Sequence, residues 1–184
     1  MALQAAADDE QQFTMHAVVD THRRFTELSV VYTNNPVWVE YSIRIMELLL
    51  ADKKYKVVGF DLEYTHARAG SRAKVFIAQM CMHHHVLVYH YYLATRPCQR
   101  FARFVNSHHY MFTTVDITND VKVLKNSGIT CQNLIDIQGQ YKIWGSKEHE
   151  KDSLFHLAEA IINLYYRDMK DSCNNDKRAW HSAG

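Results

Sequence analysis

The chain has 184 residues, enough for one domain with a core of its own, and its 21 Lys and Arg nearly cancel its 20 Asp and Glu. That balance excludes a global field of the kind that recruits polyanions, so any nucleic-acid surface has to be local. Four cysteines, Cys81, Cys98, Cys131 and Cys173, stand apart with no Cys-x-x-Cys pair, which fits buried or incidental thiols in a reducing compartment better than a disulfide frame or a zinc site.

The opening MALQAAADDEQQ has neither the basic and apolar regions of a secretory signal nor an Arg-rich amphipathic pattern, and reads as a flexible leader over 1–12. A single domain is expected over 13–184. FTMHAVVD and ELSVVYT read as two short strands forming a hairpin across THRRFT, closed by NNP. From Val37 to about Ala51 the apolar residues recur at helical spacing, with Pro36 suited to the first turn. The apolar stretch IMELLL is interrupted by Glu47 and falls far short of the ~20 residues that span a bilayer, so no membrane segment is expected. The protein is expected inside the cell, in nucleus or cytoplasm.

YKVVGFDLEYT is the next strand, followed by the loop HARAGSR and two strands, AKVFIAQMCM and VLVYHYYLA, joined across HHH. Helical periodicity returns in PCQRFARFVNS, strand in YMFTTVDI, and helix in NDVKVLKNSG, ended by Gly128. NLIDIQGQYKIW and DSLFHLAEAIINLYY read as two further helices, the second opened by an Asp-Ser pair suited to an N-cap. Strands first, then strand and helix alternating, point to an α/β fold with a mixed sheet covered by helices. The expected core comprises Val57, Val58, Phe60, Phe76, Ile77, Val86, Leu87, Val88, Val115, Ile117, Leu124, Leu154, Leu157 and Ile161.

Two carboxylates interrupt this pattern in VVGFDLEYT. Side chains at i and i+2 of a strand share a face, so Asp61 and Glu63 project together and repel unless a cation or proton lies between them. A solvated loop after Phe60 would carry the same pair without a site. In TTVDITNDVKVL, Asp120 falls in the first turn of a helix, where an acid is helped by the positive end of the dipole. Spacing alone is equally satisfied if Asp120 is only a helix-start residue behind an Asn119 or Thr118 cap.

Taken together, VVGFDLEYT, AKVFIAQM and VDITNDVKVL resemble the 3′–5′ exonuclease domain of the DEDD superfamily, in the form found in Werner syndrome helicase and its plant relatives. The first exonuclease motif is matched at Asp61 and Glu63 and the second at Asp120. The resemblance implies a ribonuclease H-like fold, a nucleic-acid substrate offered as a single strand or 3′ end, and two divalent ions, magnesium or manganese, held by acids. Hard cations prefer carboxylate oxygens, and two of them stabilise the attacking and leaving oxygens of an in-line displacement. The Ser153–Leu154 start of SLFHLAEAIIN resembles the helix after the second motif.

The third motif of that family, a Tyr-x-x-x-Asp, has no matching position before Gly184: Tyr165 and Asp168 are three apart, and Lys170 stands four residues after Tyr166. The resemblance therefore implies a domain lacking the usual last helix, with impaired activity. It also implies an uncovered apolar strip that a second copy or a protein partner would cover. The alternative is an inactive exonuclease fold kept as an interaction or regulatory module. Arg68, Arg72 and Lys74, in the loop beside the first motif, are candidates for substrate phosphates, or a solvated basic loop. His83 to His85 alternate in direction and read as a polar hairpin tip rather than a metal cluster.

Overall fold

A strand with one buried face shows itself by alternating burial, and the computed structural model of the protein carries that alternation through the centre of its sheet. It describes residues 12–20, 25–65, 72–141, 153–164 and 166. In chain order the described elements are β1 (Gln12–Asp20), β2 (Phe25–Thr33), α1 (Pro36–Leu50), β3 (Val57–Tyr64), β4 (Val75–Met82), β5 (His85–Tyr89), α2 (Gln99–Val105), β6 (Met111–Thr114), α3 (Ile117–Asn126), β7 (Leu134–Asp136), α4 (Ile137–Gln140) and α5 (Leu154–Ile161). The strands form one sheet in the order β1-β2-β5-β4-β3-β6-β7. β2–β5, β3–β6 and β6–β7 are parallel, while β3–β4 and β4–β5 are antiparallel. The sheet is therefore mixed and accompanied by helices, the α/β class expected.

By its contacts the chain divides into two compact units, Met1–Val19 with Thr26–Asp136, and Asp20–Phe25 with Ile137–Gly184. The first contains the central strands and α1 to α3. On β3, Val58, Phe60 and Leu62 are buried, and their neighbours on the same face include Met80 and Ala78 of β4, Leu87 and Tyr89 of β5, and Phe112 of β6. α1 lays Val39, Ile43, Met46 and Leu50 against this core, a one-face helical spacing, and its start is capped by the Asn35 carboxamide accepting from the Val37 N–H at 2.8 Å. α2 adds Phe101, Phe104 and Val105, and its rings stand edge-on to the sheet: Tyr89–Phe101 at 5.3 Å and Phe104–Phe112 at 5.4 Å. Glu47 of α1 pairs with Arg100 of α2 where the two helices meet.

One polar contact crosses this core. Ser42 and His85 are buried, with the Ser42 hydroxyl 3.0 Å from His85 Nε2, and burial lowers the His85 pKa so that the ring stays neutral. Ser42→Ala leaves a ring nitrogen without its partner and is expected to cost about 1–3 kcal/mol. Urea unfolding of the two proteins measures it.

Several expectations need correction. NLIDIQGQYKIW does not form one helix: Leu134–Asp136 pairs in parallel with β6 through Phe112↔Leu134, Thr113↔Ile135 and Thr114↔Asp136, and of its described residues only Ile137–Gln140 is helical, 142–144 lying outside them. An edge-strand ladder takes up backbone groups that local periodicity would assign to a helix turn. VLVYHYYLA contributes strand only over His85–Tyr89, and YMFTTVDI only over Met111–Thr114. α5 starts where expected, Ser153 Oγ accepting from the His156 N–H at 3.4 Å, and it buries Leu157. Leu154 and Ile161 of the expected core are instead 59% and 51% exposed. Val57, Phe76, Val86, Val88, Val115 and Ile117 are half-buried rather than buried. Among the described residues no helix is long and apolar enough to cross a membrane.

Candidate active site

β3 runs its apolar face into the core, and the period of two then leaves Asp61 and Glu63 on the opposite, solvent-facing side at the strand's end. Across the antiparallel ladder Asp61 is paired with Gln79 and Glu63 with Ile77; the Gln79 Nε2 lies 3.5 Å from an Asp61 oxygen, a long contact that supplies little of the missing positive charge. The two acids that the sequence places on one face are therefore together.

The third acid arrives through topology. β3 and β6 are parallel neighbours, with Val57 opposite Met111 and Gly59 opposite Thr113. The chain leaving β6 turns at Asp116, a left-handed residue at φ 66° and ψ 51°, into α3, whose first turn carries Asp120. Asp116, rather than Thr118 or Asn119, is the N-cap residue, and it makes no side-chain cap bond. Asp120 turns inward and is 2% exposed. Its carboxylate accepts from the Tyr64 hydroxyl at Oδ1 and from the Thr114 hydroxyl at Oδ2.

Charge couples the acids. Although the Asp61 side chain reaches solvent, the protein packed around its carboxyl pushes it up to about 6, first by partial desolvation, then through Glu63 and Asp120. Asp120 is also raised, again mainly by burial, while the Thr114 and Tyr64 hydrogen bonds oppose the rise and Asp116 and Asp136 add to it. Tyr64 is raised by its burial and by the acids around it, so its hydroxyl keeps its proton and donates.

A stability consequence follows for Asp61. Its folded pKa of about 6 lies above the ordinary 3.8, so its contribution to stability is present below about pH 4 and lost as the pH rises through 6. Asp61→Asn is expected to flatten this descent and to raise the melting temperature at neutral pH relative to wild type. Thermal melts from pH 4 to 7 check both.

Of the basic candidates, Arg68 lies outside the described residues. Arg72 and Lys74 are exposed on the return segment next to the acidic end of β3: Thr65 N donates to Lys74 O at 2.9 Å, and Lys74 N to the Thr65 hydroxyl at 3.0 Å. Tyr64 and Thr114 were not singled out in the sequence. Simple alternation aims Tyr64 away from Glu63, and Thr114 reads as an ordinary strand residue.

The donor chemistry, carboxylate oxygens crowded enough to raise one another's pKa, fits a hard divalent cation. The arrangement is not a ready cage, however. Among the described residues no group of three or more His, Cys, Asp or Glu side chains is close enough to hold a metal ion.

Residues 36–182 match the sequence model of a family described as 3′–5′ exonuclease. No curated protein shows significant similarity to the chain. Among solved structures, an EXD2 exonuclease domain is similar at a TM-score of 0.51 and 17% identity, covering 72% of this chain and 68% of that one. A second crystal of that domain, soaked in Mg and dGMP, gives 0.50 and 15%, over 79% and 85%. Escherichia coli RNase D gives 0.52 and 16%, over 64% of this chain and 30% of that one. At these identities the likeness is one of fold.

Proposed function

Because the chain belongs to the 3′–5′ exonuclease family, we propose that it removes nucleotides from the 3′ end of a nucleic acid strand by metal-dependent hydrolysis, slowly. Asp61, Glu63 and Asp120 would hold magnesium or manganese, and a bound ion would neutralise charge on the scissile phosphate. Arg68, Arg72 and Lys74 would meet the neighbouring phosphates without reading sequence. What supports this best is geometric: Asp61 and Glu63 lie on the exposed face at the end of β3, and Tyr64, next along that strand, donates its hydroxyl to Asp120 from the separate β6–α3 segment. Either ion is a candidate, since crystals of the EXD2 exonuclease domain have been soaked in manganese and in magnesium. The Werner helicase type of exonuclease domain found in plants is the subgroup we propose, on the resemblance of the motifs around Asp61, Glu63 and Asp120.

Slowness is proposed because both Asp120 oxygens are engaged by hydroxyls and, among the described residues, the acids form no ready group for an ion. A weaker hold on the ion lowers its affinity and leaves the attacking water less well oriented. End-labelled single-stranded DNA and RNA, incubated with magnesium or manganese, test the reading. Metal-dependent shortening from the 3′ end that disappears in Asp61→Ala is the expected result; equal, metal-independent silence of both proteins overturns it.

A second reading, an exonuclease fold retained as a protein-interaction or regulatory module in nucleus or cytoplasm, is favoured by the engagement of both Asp120 oxygens with hydroxyls. It predicts association with a second copy or partner, which sedimentation detects.

A further inference from the structure

Asp120 differs from the other two acids in being buried, with both of its oxygens already hydrogen-bonded. Asp61 and Glu63 are exposed, whereas Asp120 is 2% exposed and each of its carboxylate oxygens accepts a hydroxyl proton. The two hydroxyls are not equivalent. Thr114 is itself buried at 2% exposure, on the strand that feeds α3, and its oxygen also lies 3.4 Å from the Val115 carbonyl. It anchors the carboxylate from within. Tyr64 is 37% exposed and belongs to β3, directly after Glu63, so its phenol spans the distance from solvent to Asp120 Oδ1. The ladder between β3 and β4 slips at this point, Glu63 facing Ile77 but Tyr64 facing Val75, and Tyr64 leaves the regular strand alternation.

We infer that Tyr64 is a positioning residue that latches Asp120: its hydroxyl helps hold the carboxylate in its buried pose, so the three-acid site assembles only when that bond is released. This rests on the reading of Asp61, Glu63 and Asp120 as the metal-holding trio. It accounts for the absence, among the described residues, of a preformed metal group although the acids are neighbours. The linkage is simple. A cation that binds only the unlatched form has its apparent dissociation constant raised by the inverse of that form's population. A hydrogen bond to a charged acceptor is strong enough to keep the open form at about one molecule in ten or fewer.

Tyr64→Phe keeps the ring and removes only the hydroxyl. The experiment is a titration of the full chain with Mn²⁺, followed through the electron paramagnetic resonance signal of the free ion, for wild type, Tyr64→Phe and Asp61→Asn. Thermal melts without metal show that each variant is folded. The expected result is a dissociation constant about tenfold lower for Tyr64→Phe than for wild type, with binding weakened in Asp61→Asn. A metal-free Tyr64→Phe that melts at or below the wild-type temperature yet gains more from added Mn²⁺ is a signature that a merely structural contact does not produce. Unchanged or weaker Mn²⁺ binding in Tyr64→Phe overturns the latch while leaving the metal site in place. No Mn²⁺ uptake by any of the three proteins overturns the metal reading itself, and the latch with it.

Discussion

Phe112→Ala is expected to destabilise the protein by about 3–5 kcal/mol, the range for emptying a buried aromatic site. Phe112 is fully buried at the middle of β6, its ring edge-on to Phe60 at 5.7 Å and to Phe104 at 5.4 Å. It thus ties the β3 strand that carries two acids to the helix layer on the same face. Each such pair contributes roughly 0.5–1.5 kcal/mol beyond the apolar area it buries. Backbone pairing fixes β6 on both sides, to β3 and to β7, so the surroundings have little freedom to close the void. For a chain of this size the melting temperature should fall by roughly 6–20 °C. Calorimetry is the direct measurement, and a loss under 1 kcal/mol would place the ring outside the cooperative core.

The second large effect is on activity rather than stability. Asp120→Asn is expected to lower metal-dependent 3′ degradation at least about 100-fold, since a held cation supplies several kcal/mol of charge stabilisation to the transition state. Stability should move much less. The substitution relieves a buried charge that desolvation, Asp116 and Asp136 already disfavour, and the amide oxygen still accepts from one of the two hydroxyls. The amide nitrogen then faces the other hydroxyl, which turns from donor to acceptor. Initial rates on end-labelled strands, with a melting curve on the same preparation, separate the two outcomes: lost rate with a melting temperature within a few degrees of wild type fits a site residue, and parallel collapse of both fits a structural one.

That Asp61 and Glu63 share a face was legible because they break the apolar run of a strand at i and i+2, a pattern that needs no knowledge of distant contacts. Asp120 became a candidate only through the family resemblance, since its spacing is also that of an ordinary helix start. Helix α1 was legible for the same reason, its buried residues Val39, Ile43, Met46 and Leu50 repeating at the helical period. β7 was not, because its three residues, Leu134 to Asp136, are a strand only by virtue of the β6 edge beside them. Leu154 and Ile161 were misread as core because an apolar residue in a helix shows that a face exists without showing that anything covers it. Tyr64 was invisible as a partner of Asp120 because its position depends on a register slip between β3 and β4, and ladder irregularities leave no local mark. The parts of the site set by local periodicity could be read, and the parts set by pairing with remote strands could not.

The parallel contact of Val57 with Met111 closes more than fifty residues of intervening chain before it yields a single ladder bond. The antiparallel β3–β4–β5 ribbon, whose partners are close in sequence, has no such delay, so on refolding it should form early and the Asp61–Glu63 edge should exist for a time without Asp120. During synthesis the same order holds: a nascent chain emerging only as far as β5 carries two of the acids and none of α3. Any catalytic competence is then a late kinetic event, arriving with the docking of β6 rather than with hydrophobic collapse.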